Sequence, residues 1–376
     1  MICLILVSII TQCQTEMLPI DFYKQSLVIF KEVRDQIGES TAIINMAVAY
    51  RNLGQYQPAI AALQEGLAIS KQIGNLYNQA SALTSLGNTY FNLGQYQKAI
   101  ETFQQDVAIR KQLGDRNGEG ITLNNMGNAY AALGQYQKSI DLLEQALAIA
   151  KQFKNLLAEG DALGNLGLAY DALGQYQKSL EFHQRAVEIS KQISDFRGVG
   201  SSLANIGLVY NKLGQYQKAI EFHQQSLSIA KQIGDRRSEG GALGNLGKAY
   251  SSLGQYQKAI DFNEKSLSIA KEIGDRNGEG TQLGNLGGNY YYLGQYHKTI
   301  NFYQQSLAVL KQIGDRNGEA NLLGNLGLVY NNLGQYQKAI DFFQPALAIF
   351  KNIGDRNGEG NTFNSLGLAY RSLGQY

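Results

Sequence analysis

Apolar and small residues recur along this chain in two helical stripes within each unit of 40 residues. In residues 275–314 the first stripe is Leu283, Leu286, Gly287, Tyr290 and Leu293, the i, i+3, i+4, i+7 spacing of one helix face. The second is Ile300, Phe302, Tyr303, Leu307, Val309, Leu310 and Ile313. The residues between the stripes fit as punctuation. Asp275 is placed to cap the first helix, A, with Glu279 in its first turn, and Gly294 follows Leu293 as a left-handed terminator. The second helix, B, is predicted over Tyr296–Ile313, with Lys311 where the macrodipole favours a cation and Gly314 as its stop. Two antiparallel helices per unit leave two or three residues for each turn.

The unit is repeated in register. Nine Leu-Gly-Gln-Tyr copies place Gly54, Gly94, Gly134, Gly174, Gly214, Gly254, Gly294, Gly334 and Gly374 at one spacing. Units of this size bury their apolar faces only against their neighbours, which predicts an all-α solenoid whose work is done by a surface. Ile20, Phe22, Leu27 and Ile29 match Ile220, Phe222, Leu227 and Ile229, so residues 15–34 read as a lone helix B. Eight helix pairs over 35–354 and a lone helix A over 355–376 follow, in one elongated domain without linkers. Residues 1–14 keep no repeat residue and read as a degenerate N-terminal segment or helix. Because Gln375 and Tyr376 are the first residues of a further helix B, the array is expected to belong to a longer protein.

Composition narrows the function. With 44% hydrophobic residues, 17% charged and 3 prolines in 376, the chain can bury a continuous core. A net charge of +2 spread through the repeats forms no basic stripe, which argues against nucleic acid or an anionic membrane as partner. Cys3 and Cys13 both precede the regular repeats, so neither a disulfide framework nor a four-ligand zinc site is expected inside the array. The apolar run Ile2–Ile10 is too short to span a membrane. It lacks a preceding basic residue, and Thr11-Gln12-Cys13 lacks the small residues of a cleavage site; a signal peptide is disfavoured rather than excluded, and a cytoplasmic location is expected.

No catalytic set is visible. The Gly-Asp-Arg-Asn-Gly-Glu loops at 114–119, 274–279, 314–319 and 354–359 have no preceding strand and no Gly-Lys-Ser or Gly-Lys-Thr ending, so they read as helix caps rather than phosphate cradles. Their acidic spacing also fails for calcium. His183 and His223 share one helix B position with Phe103, Tyr303 and Phe343, which predicts half-buried packing rather than a metal pair; His297 replaces a glutamine. No cysteine, histidine and acid set recurs beside a nucleophile, so no enzyme, cofactor, metal or small-molecule substrate is expected.

Eighteen of the 23 tyrosines occupy two fixed places, nine ending helix A (Tyr50 to Tyr370) and nine starting helix B (Tyr56 to Tyr376), a spacing that predicts core packing. The glycine before the first set, as in Gly207, Gly247 and Gly287, implies a helix contact too close for a side chain. Asparagine is fixed as well: Asn125, Asn165, Asn205, Asn245, Asn285 and Asn325 each precede a Leu-Gly or its equivalent. Their stripe neighbours vary, from Asp161, Leu168 and Ala172 to Ser201, Leu208 and Lys212 to Thr281, Gly288 and Tyr292.

Leu246-Gly247, Tyr250 and Ala259, and their equivalents through residues 15–376, resemble the tetratricopeptide repeat family. The usual unit of that family has 34 residues and a closing proline; the longer unit here, ending Gly274-Asp275-Arg276, looks like the repeats of kinesin light chains and of the Leu-Gly-Asn-rich spindle adaptors related to Pins. The resemblance implies a right-handed superhelical solenoid of antiparallel helix pairs. It also implies a concave groove lined by helix A, in which asparagines at the ladder position contact the backbone of an extended peptide. An amide suits that role because it offers donors and an acceptor together; the same chemistry also suits a bond to the adjacent repeat that holds the stack, and both can hold. The expected partner is a protein or peptide. Val199, Lys248 and Tyr292 break the repeat pattern on or near the groove, placing fine specificity in residues 161–332, and Lys212, Lys248 and Tyr292 join the asparagines as candidate contacts. The alternative is a structural spacer or oligomerisation platform for an effector domain missing from this chain.

Overall fold

Each unit of 40 residues forms the two helices its stripes predict. The computed structural model describes residues 19–374, and among them every regular element is a helix. Helix α1 (Pro19–Glu32) is a lone helix B. A and B helices then alternate from α2 (Gln36–Asn52) and α3 (Tyr56–Gln72) to α16 (Arg316–Asn332) and α17 (Tyr336–Ile353), and α18 (Arg356–Ser372) is a last helix A. The expectations for residues 1–14, for the start of the first helix B and for Tyr376 lie outside the described residues. The unit read from sequence is α14 (Arg276–Tyr292) followed by α15 (Tyr296–Ile313).

The caps work as their chemistry suggests. Asp275 accepts a hydrogen bond from the Gly278 amide at 2.9 Å, and Asp115, Asp315 and Asp355 do the same for Gly118, Gly318 and Gly358. In the A-to-B turn the glycine is left-handed every time, as at Gly294 (φ 71°). In the B-to-A turn that place is usually glycine too, but Arg34, Lys154 and Ser194 adopt it with φ of 56°, 53° and 57°, a conformation that costs an L side chain about 1–2 kcal/mol.

The described chain forms two compact units that divide between Ile193 and Ser194. Within each, a helix packs chiefly on the helices before and after it, and A helices of successive pairs touch as well. In seven of the pairs the two helices meet closely as a socket and knob, and in the first pair the socket place is held by Ala47. The mid-helix glycine of helix A lies under one helix B side chain: Gly87 under Phe103, Gly127 under Leu143, Gly167 under His183, Gly207 under His223, Gly247 under Asn263, Gly287 under Tyr303 and Gly327 under Phe343. A Cβ at Gly327 would lie 2.5 Å from the Phe343 ring, and one at Gly207 2.5 Å from His223. Gly367 in α18 has no such neighbour within 4 Å. The recurring glycine is therefore a requirement of the B knob above it, not of helix A itself.

The tyrosines form a seam rather than a core. Those ending helix A are half-buried for the most part, and from Tyr170 to Tyr330 each ring lies flat on a helix B phenylalanine and beneath a helix B lysine. Tyr170 stacks on Phe182 with centroids 5.3 Å apart, and Lys178 Nζ lies 4.9 Å from the same ring. Tyr250, Phe262 and Lys258 repeat the arrangement, as do Tyr290, Phe302 and Lys298. The phenol keeps its ring in the contact and its hydroxyl at the edge, which is why these residues stop short of full burial.

Candidate functional site

The leucine of each Leu-Gly pair points into the core; Leu246, Leu286 and Leu326 have no exposed surface. The asparagine one position earlier is turned by about 100° around the helix and emerges at its edge. Asn125, Asn165, Asn205, Asn245 and Asn285 are accordingly half-buried and Asn325 is exposed. In the second unit these side chains line successive cavities between A helices. Asn205 and Asn245 border one of about 300 Å³, Asn285 and Asn325 one of about 390 Å³, and Asn325 borders a third of about 190 Å³ together with Asn361.

The two roles open to the ladder separate residue by residue. Asn165 Nδ2 donates to Asn124 Oδ1 in the preceding repeat at 3.0 Å, a stacking bond. Asn285 Nδ2 donates to Gln282 Oε1 within its own helix at 3.3 Å. Among the described residues the side chains of Asn125, Asn205, Asn245 and Asn325 make no hydrogen bond to a neighbouring repeat. The varied stripe positions Asp161, Ser201, Thr281 and Tyr292 are exposed beside them.

The other candidates divide. Lys248 and Tyr292 border the cavity of about 390 Å³, where Tyr292, 64% exposed, stacks on Tyr256 at 5.0 Å. Lys212 is exposed in the last turn of its helix, Phe196–Lys212. Val199 is not a surface residue: it is 3% exposed and belongs to the core. It occupies the first-turn place held elsewhere by Glu119, Glu279 or Glu319, whose buried stems carry carboxylates paired with Arg116, Arg276 and Arg316. An apolar residue at that inward place joins the packing.

The histidines correct a second expectation. His183 and His223 are fully buried, not half-buried, because each is the knob over its glycine socket. Burial pushes both imidazoles down to about 4, opposed at His183 by the Asp171 carboxylate. His223 Nε2 lies 3.1 Å from Asn211 Nδ2. Another buried ionisable group, Asp106, ties three helices: it accepts from the Thr84 and Thr122 hydroxyls at 2.5 and 2.7 Å and from Arg110 Nε at 3.0 Å. Burial raises its carboxyl, and these partners oppose the rise. Among the described residues no three His, Cys, Asp or Glu side chains come together to hold a metal, and no helix is long and apolar enough to cross a membrane.

Sequence reasoning missed the inner wall of the cavity at Lys248 and Tyr292, formed by Asn263, Gly288, Asn289 and Tyr303. A signal was present: Asn263 interrupts a column of rings and aliphatic groups, and Gly288 stands where Leu168, Leu208 and Leu328 stand in other repeats.

Tetratricopeptide repeat models match residues 40–73, 78–152, 121–192, 198–272, 238–312, 279–352 and 318–376. The chain belongs to the tetratricopeptide repeat family. No curated protein matches it. Among solved structures, this tetratricopeptide repeat array resembles the apo quorum sensor NprR from B. thuringiensis, at 16% identity and a TM-score of 0.64 over 88% of this chain and 97% of that one. A Rap protein complexed with competence and sporulation factor gives 16% identity and a TM-score of 0.61 over 89% and 98%. A putative kinesin light chain from Podosopora anserina with nearly identical repeats is 26% identical over 52% of this chain and 97% of that one, with a TM-score of 0.45.

Proposed function

We propose that this tetratricopeptide repeat array is a protein-interaction scaffold that holds an extended segment of a partner along the face formed by its A helices. One observation carries the reading: the amides of Asn205, Asn245, Asn285 and Asn325, in four successive A helices of the second unit, reach the surface and line the cavities between those helices, and most have no bond within the stack. An extended backbone presents alternating donors and acceptors, and an amide answers both. The solved complex of a Rap protein with competence and sporulation factor, a neighbour in fold, is in keeping with this use of the architecture.

Each amide contributes about 0.5–1.5 kcal/mol net, so four acting together supply at least about 2 kcal/mol, or roughly thirtyfold in affinity. The test screens an immobilised library of unstructured octapeptides against the wild-type chain and against N205A/N245A/N285A/N325A, after circular dichroism shows equal helix content. Retained peptides should bind the variant at least about thirtyfold more weakly. Equal binding to both proteins would place recognition elsewhere on the surface, and retention of no peptide by either would favour the spacer or oligomerisation role.

A further inference from the structure

The cavity of about 390 Å³ in the second unit differs from the other inter-helix clefts in what lies at its base. Asn263, the B knob over Gly247, lines it while only 1% exposed, and neither its Oδ1 nor its Nδ2 has a hydrogen-bond partner in the protein. Whichever way that amide is turned, a donor group and an acceptor are both unanswered. Asn289, 2% exposed, spends its Nδ2 on the Asn285 carbonyl at 2.9 Å and leaves Oδ1 unanswered. Tyr303 supplies a hydroxyl beside them, and burial, reinforced by the neighbouring Tyr292 and Tyr291, pushes it up to about 12. It is therefore a neutral donor. A Cβ at Gly288 would stand 3.7 Å from that hydroxyl, so the leucine found there in other repeats would cover it.

We propose that this cavity is a carboxamide pocket, which takes the side-chain amide of a Gln or Asn in the partner segment. This rests on the segment-binding reading above and specifies it. A carboxamide oxygen accepts from Asn263 Nδ2 and the Tyr303 hydroxyl, while its two N–H groups donate to the Oδ1 atoms of Asn263 and Asn289. The alternatives each leave something unanswered or repelled. A carboxylate has no hydrogen for the two Oδ1 acceptors and sets negative charge against them. An ammonium leaves the Asn263 donors without an acceptor and meets Lys248 at the rim. An apolar side chain buries all of these groups without partners. Tyr292 at the rim offers a ring for the aliphatic stem that carries the amide.

Two arms of one experiment test this. In the first, the full chain labelled with ¹⁵N-asparagine is titrated with N-acetylglutamine N-methylamide, with the leucine and glutamate analogues as controls. The glutamine probe should shift the side-chain signals of Asn263 and Asn289 saturably, at concentrations at least tenfold below any effect of the other two. Asn263→Leu, which copies the packing of Leu143 over Gly127, should abolish the shift. In the second, peptides retained from the octapeptide library should be enriched at least fivefold in Gln or Asn at one position. Asn263→Leu should lose that enrichment and keep the binding, whereas the four-asparagine ladder variant binds at least about thirtyfold more weakly. Equal shifts from the leucine probe, no shift, or a shift that survives in Asn263→Leu would overturn the pocket and leave the segment reading standing. Saturable glutamine binding with no Gln or Asn enrichment would overturn the partner side chain as its occupant and point to a free amide.

Discussion

The same socket is filled in opposite ways in different repeats. Over Gly87 and Gly327 it receives Phe103 and Phe343, which bury a ring with no polar atom; over Gly167, Gly207 and Gly247 it receives His183, His223 and Asn263, each with at least one buried nitrogen or oxygen unpartnered. Backbone geometry is shared, so the contrast isolates side-chain chemistry. A phenylalanine knob adds only apolar burial, whereas a polar knob fills the same space and also costs the desolvation of groups that once bonded to water. The tetratricopeptide scaffold fixes where a knob must be, and leaves its polarity free.

Acid should widen the contrast most. In the folded chain His183 and His223 titrate near 4, and unfolded they return to about 6.5. Between those values the unfolded chain binds protons that the folded chain refuses, so falling pH favours unfolding. The stability due to neutral imidazoles is complete above about pH 6.5, is lost as pH falls towards 4 and is flat below; the shifts correspond to about 3 kcal/mol per histidine. Carboxylates add their own acid loss, so the informative quantity is the difference between wild type and H183F/H223F, which places phenylalanine in both sockets. Urea midpoints measured from neutral pH down to about pH 4 should diverge steadily in favour of the variant. Parallel curves would show that these rings gain protons without opening the packing.

The glycine side of the socket gives the next effect. Gly327→Ala places a Cβ 2.5 Å from the Phe343 ring and must displace it, an overpacking cost of about 1–3 kcal/mol. Gly367→Ala meets no atom within 4 Å and should only gain helix propensity, up to about 1 kcal/mol. Hydrogen exchange at the amides flanking each site reads the local change in a repeat array, where unfolding need not be global. Equal effects at the two glycines would refute a socket specific to the knob above it.

The period, the two helices per unit, their caps and the glycine contact were all legible in the sequence, because each is set by residues close in the chain or by a pattern repeated many times. The asparagine ladder was legible as a line of positions for the same reason. Burial of a particular residue was less so. Val199 takes a place whose usual glutamate advertises surface, and only the fold shows that the stem of that glutamate is already inside. The histidines read as half-buried because a polar residue in an aromatic column suggests compromise, yet the glycine beneath allows no intermediate depth. The Asn263 cavity needs five helices at once, from Arg236–Ser252 through Tyr256–Glu272, Arg276–Tyr292 and Tyr296–Ile313 to Arg316–Asn332, and no window of sequence displays that meeting.

The smallest effect sharpens the comparison furthest, because it predicts two properties moving in opposite directions. Asn263→Leu exchanges a knob with two unanswered polar atoms for the aliphatic knob that already fits as Leu143 over Gly127. Removing a buried unsatisfied amide should raise stability by about 1–2 kcal/mol, read as a higher urea midpoint with an unchanged slope. The same substitution should remove the response to the glutamine probe. A chain that is stabilised and stops discriminating carries its asparagine there at a cost in folding, which is the mark of a site held for a ligand. If stability falls instead, the amide is already answered within the folded protein, and Asn263 belongs with the packing knobs rather than with the interaction face.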